Sequence, residues 1–237
     1  VETNEYGEDL FNLAPSPPSS MTFIKAIEFS STPACVTLYG NYLYVGTNSG
    51  ALYRINKRTN KQSLVLQLSD GYVSGVQVYH DEIFVLSMSP TKVLVYNMTG
   101  DLLRSWEHTR SDHGISKLCA LSGKVVIPQG AAFGLATSTS LSVYTIDGQL
   151  NKQIGCGFLI SESWKAMSVC GNNSIIGTDQ ASGSEYRINI DSGEKLLPSR
   201  EVRVPEGVVG YKDRYVLHTS RDSLGARIWV LDIETGE

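Results

Sequence analysis

Four histidines and four cysteines are the residues of this 237-residue chain that could hold a metal or supply a nucleophile, and their spacing argues against both. Cys35, Cys119, Cys156 and Cys170 form no Cys-x-x-Cys pair and have no histidine at zinc-ligand distance in sequence. His80 falls in a short turn, His108 and His113 share one loop, and His218 ends an apolar run. Residues at such unlike phases of a repeat do not converge on one ion. No Gly-x-Ser-x-Gly elbow and no glycine-rich phosphate loop occurs. The expectation is therefore no catalytic residue, no metal and no cofactor. The cysteines read as buried free thiols of a reducing, cytoplasmic setting. Two glycosylation-type triplets, Asn97-Met98-Thr99 and Asn172-Asn173-Ser174, are the signs to the contrary.

The elements that would position any site are legible in the stretch from Val76 to Trp106. Four apolar runs, Val76–Tyr79, Ile83–Leu86, Val93–Tyr96 and Leu102–Trp106, are separated by a His-Asp turn, a Ser-Pro-Thr loop and a Thr-Gly-Asp turn. Short runs of Val, Ile, Leu and Tyr between turn residues describe a four-stranded antiparallel meander. Leu102–Trp106 alone could pass for a helical turn; the repeat makes it a strand.

That unit recurs. A polar turn followed by an apolar pair or triplet opens GNYLYVGT, HDEIFVLS, SGKVVIPQ, GNNSIIGT and KDRYVLHT, and each is followed by an apolar strand entering a turn. Taking Ile55, Tyr96, Tyr144, Ile188 and Leu231 as equivalent gives spacings of 41, 48, 44 and 43 residues. Two markers that keep one phase over five units indicate internal repetition. Four short strands per repeat of that length predict an all-β fold, a β-propeller whose blades cover their two apolar faces by stacking. The visible repeats make either a complete five-bladed ring or part of a six-bladed one. The strand reading of Met21–Phe29 would let the N-terminal segment close the last blade, leaving no exposed edge.

Residues 1–20 carry Glu2, Glu5, Glu8 and Asp9 without a basic residue and end in APSPPSS, the composition of a flexible acidic linker before a propeller at 21–237. The linker holds the whole net charge of −4, so the body is formally neutral. A neutral body is a poor match to nucleic acid, though single-stranded RNA stays open as a partner. No apolar run approaches the ~20 residues that span a bilayer, and no signal-type start is visible, so no membrane partner is expected. The start at Val1 fits a processed chain or a piece of a longer one. A chain this long buries roughly 70% of its unfolded surface, enough for a core without staples.

Because strands alternate in direction, the longer and more varied loops gather on one side of the blades, and function concentrates on loops held by a rigid scaffold. On that rim Tyr72, Met88, His108, Arg110, His113, Phe133, Trp164 and Arg221 are the candidate partner-binding residues, aromatic and arginine side chains being the usual interface anchors. Trp106 reads instead as blade-to-blade packing. The implied function is non-catalytic recognition of protein partners.

The stretches VLVYNMTGDLLRSW and LSVYTIDGQLNKQIG resemble the strand, Asp/Asn-x-x-Gly turn and outgoing strand of NHL-repeat propellers, as found at the C-terminus of tripartite-motif proteins. That resemblance implies a module selecting substrates for a RING-type ubiquitin ligase carried elsewhere in a larger protein, or a single-stranded RNA binder. SRDSLGARIWVLDIETGE is also similar to a WD-repeat blade, which ranks second because no Gly-His pair opens any repeat.

Overall fold

The computed structural model describes residues 27–108, 117–129, 138–159, 164–179, 184–194, 205–211, 215–222 and 225–232; side chains are described at 27–108, 117–129, 140–155, 167–177 and 187–194. The compact unit of interest runs from Ser31 to Glu237. Its described residues form antiparallel sheets in which each strand pairs with its sequence neighbour. The first sheet holds β1 (Pro33–Tyr39), β2 (Tyr42–Thr47), β3 (Ala51–Asn56) and β4 (Gln62–Gln67); the second holds β5 (Tyr72–Tyr79), β6 (Glu82–Met88), β7 (Lys92–Asn97) and β8 (Leu102–Glu107). The third contains β9 (Cys119–Leu121), β10 (Lys124–Gln129), β11 (Ser138–Thr145) and β12 (Leu150–Leu159). Three described strands each make up the fourth, β13 (Trp164–Val169), β14 (Ser174–Asp179) and β15 (Ser184–Asn189), and the fifth, β16 (Pro205–Tyr211), β17 (Tyr215–Asp222) and β18 (Gly225–Asp232).

The sheets stack as blades. Tyr44, Leu52 and Leu66 of the first face Val76, Ile83 and Val85 of the second. Phe84, Leu86 and Val95 on the other side of the second sheet meet Leu118, Val125 and Ile127 of the third. Leu121, Leu141 and Val143 of the third meet Ile175, Ile188 and Ile190 of the fourth. A strand covered on both faces loses the polar alternation of a half-exposed strand, which is why β6 reads as the continuous run EIFVLSM. The first strands β1, β5, β9, β13 and β16 approach one another in series, as the inner strands of a propeller do. The five equivalent positions of the sequence repeat all fall on third strands.

Only three sheets show the full set of four strands among the described residues, so neither five nor six complete blades is present there. The strand expected over Met21–Phe29 lies mostly outside the described residues, and 27–29, which are described, are not in a strand. No helix among the described residues is long and apolar enough to cross a membrane.

Among the described residues, one end of the blades is closed by tight turns. His80 and Asp81, both at positive φ, form the β5–β6 connection in the manner of a type I′ hairpin turn. These turns are tied from blade to blade: the Tyr39 hydroxyl donates to Asp81 Oδ1 at 3.0 Å, the Gly123 amide donates to the Tyr79 hydroxyl at 3.0 Å, and Ser122 Oγ donates to the Asn172 carbonyl. The third-to-fourth turns of the first and second sheets are built on Asx geometry, at Asn56 and Asn97. Asn97 Oδ1 accepts from the Thr99 and Asp101 amides at 3.0 and 2.9 Å, while its amide nitrogen donates to Asp101 Oδ2 at 2.9 Å. Asn97-Met98-Thr99 thus serves as a turn, and Asn97→Ala is expected to lower unfolding stability by about 1–2 kcal/mol in urea titrations.

Candidate functional site

The strand directions put the blade entries, blade exits and second-to-third loops together at the other end, here called the open end. Tyr72 begins β5, Met88 ends β6, His108 directly follows β8, Trp164 begins β13 and Arg221 lies one residue from the end of β17, so all five occupy that end. Arg110, His113 and Phe133 lie outside the described residues, and only the backbone positions of Trp164 and Arg221 are described.

Two of the expected anchors are not presented to a partner. Met88 is 1% exposed and His108 is 6% exposed. Both adjoin the end of a strand yet are buried, and for His108 the adjacent sheet supplies the contacts. His108 Nδ1 lies 2.8 Å from the Tyr144 hydroxyl on the third sheet, the two rings meet edge-on at 5.8 Å, and the His108 amide donates to the Thr91 carbonyl at 3.2 Å. Burial drives the His108 pKa down to about 4, so at neutral pH the ring is an uncharged clasp between two blades. Trp106 packs as expected, its ring 6.0 Å from Tyr144 and covered by the Gly148 turn. Tyr72 is half-buried and keeps part of its ring at the open end.

Two residues of the inner strands and their approaches escaped sequence reasoning. Gln77 reaches from β5 to the inner strand of the next blade, where its Oε1 accepts from the Ala120 amide at 3.0 Å and its Nε2 donates to the Ala120 carbonyl at 3.2 Å. It supplies the hydrogen bonds that a further strand would otherwise make. Lys117 stands two residues before β9 and is half-buried. Burial dominates the raised pKa values of Cys35 on the first sheet and Cys119 on the third, and the Lys117 charge offsets part of the rise in each. Neither residue belongs to a motif; each matters through a neighbour more than 40 positions away.

Neither Cys35 nor Cys119 offers a nucleophile. Burial raises Cys35 to about 11 and Cys119 to about 12, far above the range in which a thiolate forms at neutral pH. Cys35 and Cys119 are free thiols. Among the described residues no group of three or more His, Cys, Asp or Glu is placed to hold a metal. The shortest ion pair among the described residues, Arg104 with Glu82 at 2.8 and 2.5 Å, is structural: the same guanidinium donates through Nε to the Ile146 carbonyl of the next blade at 3.1 Å.

Sheets stacked on both faces around a common set of inner strands, with turns at one end and loops at the other, define a β-propeller. The chain belongs to the PQQ_2 family, described as outer membrane protein assembly factor BamB, with a match over residues 13–237. The family is therefore a propeller family other than the NHL repeats that the turn pattern resembles; what the two share is the repeat architecture. No curated protein matches by sequence. Among solved structures the chain is similar to U3-55K (16% identity, TM-score 0.63, covering 86% of this chain and 64% of that one). It is also similar to a chain of a nidogen/laminin complex (11% identity, TM-score 0.67, 88% and 78%) and to the WD40 domain of Pan2 from Neurospora crassa (10% identity, TM-score 0.61, 88% and 64%). The chain thus spans less than two thirds of the U3-55K and Pan2 chains, and identities this low establish the fold alone.

Proposed function

We propose that this chain is a non-catalytic recognition module that binds a protein partner at the open end of its blades, within a larger protein or assembly. The observation that carries the reading is the division of labour between the two ends. Short turns tied from blade to blade occupy one end, while the variable loops with Tyr72, Trp164 and Arg221 occupy the other. A family described as an assembly factor and a structural neighbour drawn from a protein–protein complex are in keeping with it. Selection of substrates for a ubiquitin ligase is the finer form of this proposal suggested by the NHL resemblance. A reducing, cytoplasmic setting is supported by the free thiols. A ring with more blades than the complete sheets is supported by the outward face of the first sheet. There Val36 and Leu38, equivalent to the buried Val76 and Val78 of the second, are 63% and 59% exposed.

The test is affinity capture with residues 21–237, with and without ribonuclease. Ribonuclease-resistant capture that disappears on substituting Arg110, Phe133 and Arg221 together with Ala, with the circular dichroism spectrum unchanged, is the expected result. Capture lost on ribonuclease treatment would transfer the proposal to single-stranded RNA, and capture unaffected by the substitutions would remove the partner from this rim.

A further inference from the structure

Three joints between sheets cover the same pair of inner-strand positions. Val76 and Val78 pack against the first sheet, Leu118 and Ala120 against the second, and Met167 and Val169 against the third. Strand register makes Val36 and Leu38 of β1 their equivalents: Val36 stands opposite Val45 as Val76 does opposite Val85, and Leu38 opposite Leu43 as Val78 does opposite Ile83. Both are exposed. Exposure on fourth strands carries no such meaning, because blades splay toward their outer edges; Leu102 and Leu150 are exposed although their sheets are stacked. On the middle strands of the same face Val45 and Ile55 are buried, so the gap runs along β1. The turn at the closed end agrees. Asp81 accepts from Tyr39, Gly123 donates to Tyr79 and Asn172 accepts from Ser122, so the turns of the second, third and fourth sheets are each bonded by the sheet before. Among the described residues no other sheet bonds to Gly40 or Asn41, the corresponding turn of the first. The inner strands approach one another in series from β1 to β16, with no comparable return from β16 to β1 among the described strands.

We propose that the bare face of β1, together with the Gly40-Asn41 turn, is the docking surface for a further four-stranded blade of the same repeat. The inference rests on the reading of a larger ring given above, and adds which surface accepts the next blade and what that blade must carry. Continuity with the existing joints selects the occupant. In each joint the preceding sheet offers apolar side chains of its middle strands, as Tyr44 and Leu52 do to Val76 and Val78, and Phe84 and Leu86 do to Leu118 and Ala120. Two of those sheets also end their first strand in a tyrosine whose hydroxyl meets the next turn, Tyr39 and Tyr79. The occupant is therefore a sheet with an apolar middle and, by the same pattern, a tyrosine at the end of its first strand. Val36 and Leu38 bring no charge and no hydrogen-bonding side chain, so burial of apolar surface is what they can contribute, and a polar peptide would gain little from them.

The test compares the full 237-residue chain with the same chain carrying a second copy of residues 32–71 ahead of Thr32, which sets a blade before the first sheet at the spacing that separates the first from the second. Leu38→Cys is made in the original strand of both, and its reaction with a maleimide is followed by mass spectrometry under native conditions. In the parent the thiol is expected to react as fast as that of Leu102→Cys. In the extended chain it should react at least about tenfold more slowly, with Leu102→Cys unchanged. Adding Val36→Glu to the original strand places a charge in the new joint, so it should restore fast labelling in the extended chain while leaving the parent's urea midpoint where it was. Slow labelling of the parent at every concentration would show the pair already covered within the chain. Slowing that grows with concentration, with dimers in sedimentation, would make a second copy the occupant. Equally fast labelling in both chains would show that a blade does not fit. Each of these overturns the proposal. A second extended chain, with residues 72–113 as the added copy, repeats the comparison if the first does not fold, and failure of both to protect position 38 counts against the proposal in the same way. Capture of a protein partner that depends on Arg110, Phe133 and Arg221, found together with unprotected extended chains, leaves the recognition module standing and removes this docking surface.

Discussion

Gly71→Ala is expected to destabilise the fold by about 3 kcal/mol or more, while Gly123→Ala costs only about 1 kcal/mol. Both glycines adopt left-handed backbone, at φ +78° and +69°. They therefore share the penalty for placing a Cβ in that region. They differ in what the Cβ would meet: at Gly71 it falls 2.0 Å from the Met88 carbonyl oxygen and 3.0 Å from that of Ser89, and at Gly123 it meets nothing within 4 Å. Relief at Gly71 requires backbone to move, because neither obstacle is the end of a flexible side chain. The obstructed segment is the entry to β5 pressed against the exit of β6, which also positions Tyr72. Urea titrations of the two variants with the parent measure the comparison directly. Equal losses would mean that the open end yields without cost and that its loops are not held by the close approach described. A large loss at Gly71 alone would show that the rim is as rigid as the blades beneath it.

How far the sequence reaches is best seen in the second sheet. Its four strands, the His80-Asp81 turn and the Asn97 turn were all readable, because they depend on local chemistry: apolar runs, positive-φ residues and Asx bonding. The strand over Leu102–Trp106, ambiguous alone, followed from the repeat. The assignment of candidate anchors to one end was equally readable from strand direction. Burial was not. Met88 and His108 look like rim residues because they adjoin loops, yet strands in a blade are covered on both sides, and no alternation distinguishes a terminal residue that turns inward from one that turns out. The family was also beyond local reading: turns ending in Gly serve any propeller whose third-to-fourth turn must fit under its neighbour, as Gly100 fits against Val65 and Gly148 against Trp106. A pattern imposed by blade stacking does not distinguish the families that stack blades.

The His108 clasp makes the second large prediction, a loss of up to about 3 kcal/mol of stability between pH 6.5 and pH 4 that is specific to this side chain. In the unfolded chain the imidazole takes up a proton near its ordinary value of 6.5, whereas in the folded chain burial delays protonation to about 4. The unfolded state therefore binds more protons throughout that window, and stability declines as pH falls. Above pH 6.5 neither state is protonated and the contribution is constant. Acidic groups also respond: Arg104 lowers the Glu82 pKa, and Lys124 lowers that of Asp191, so their pairing also weakens in acid. Comparison with a variant separates the effects. His108→Gln retains a polar group for the Tyr144 hydroxyl but cannot titrate, and it leaves the carboxylates in place. Unfolding free energies of parent and variant measured in half-unit steps from pH 7.5 to 4 should converge as the pH falls, the parent losing up to about 3 kcal/mol more. Parallel profiles would mean that the ring is hydrated in the folded state. Convergence would show that the joint between the second and third blades rests on a neutral histidine, so acid loosens the exit of β8, which in sequence precedes Arg110 and His113. Partner capture should then weaken over the same pH window in the parent, and His108→Gln should remove that part of the pH dependence.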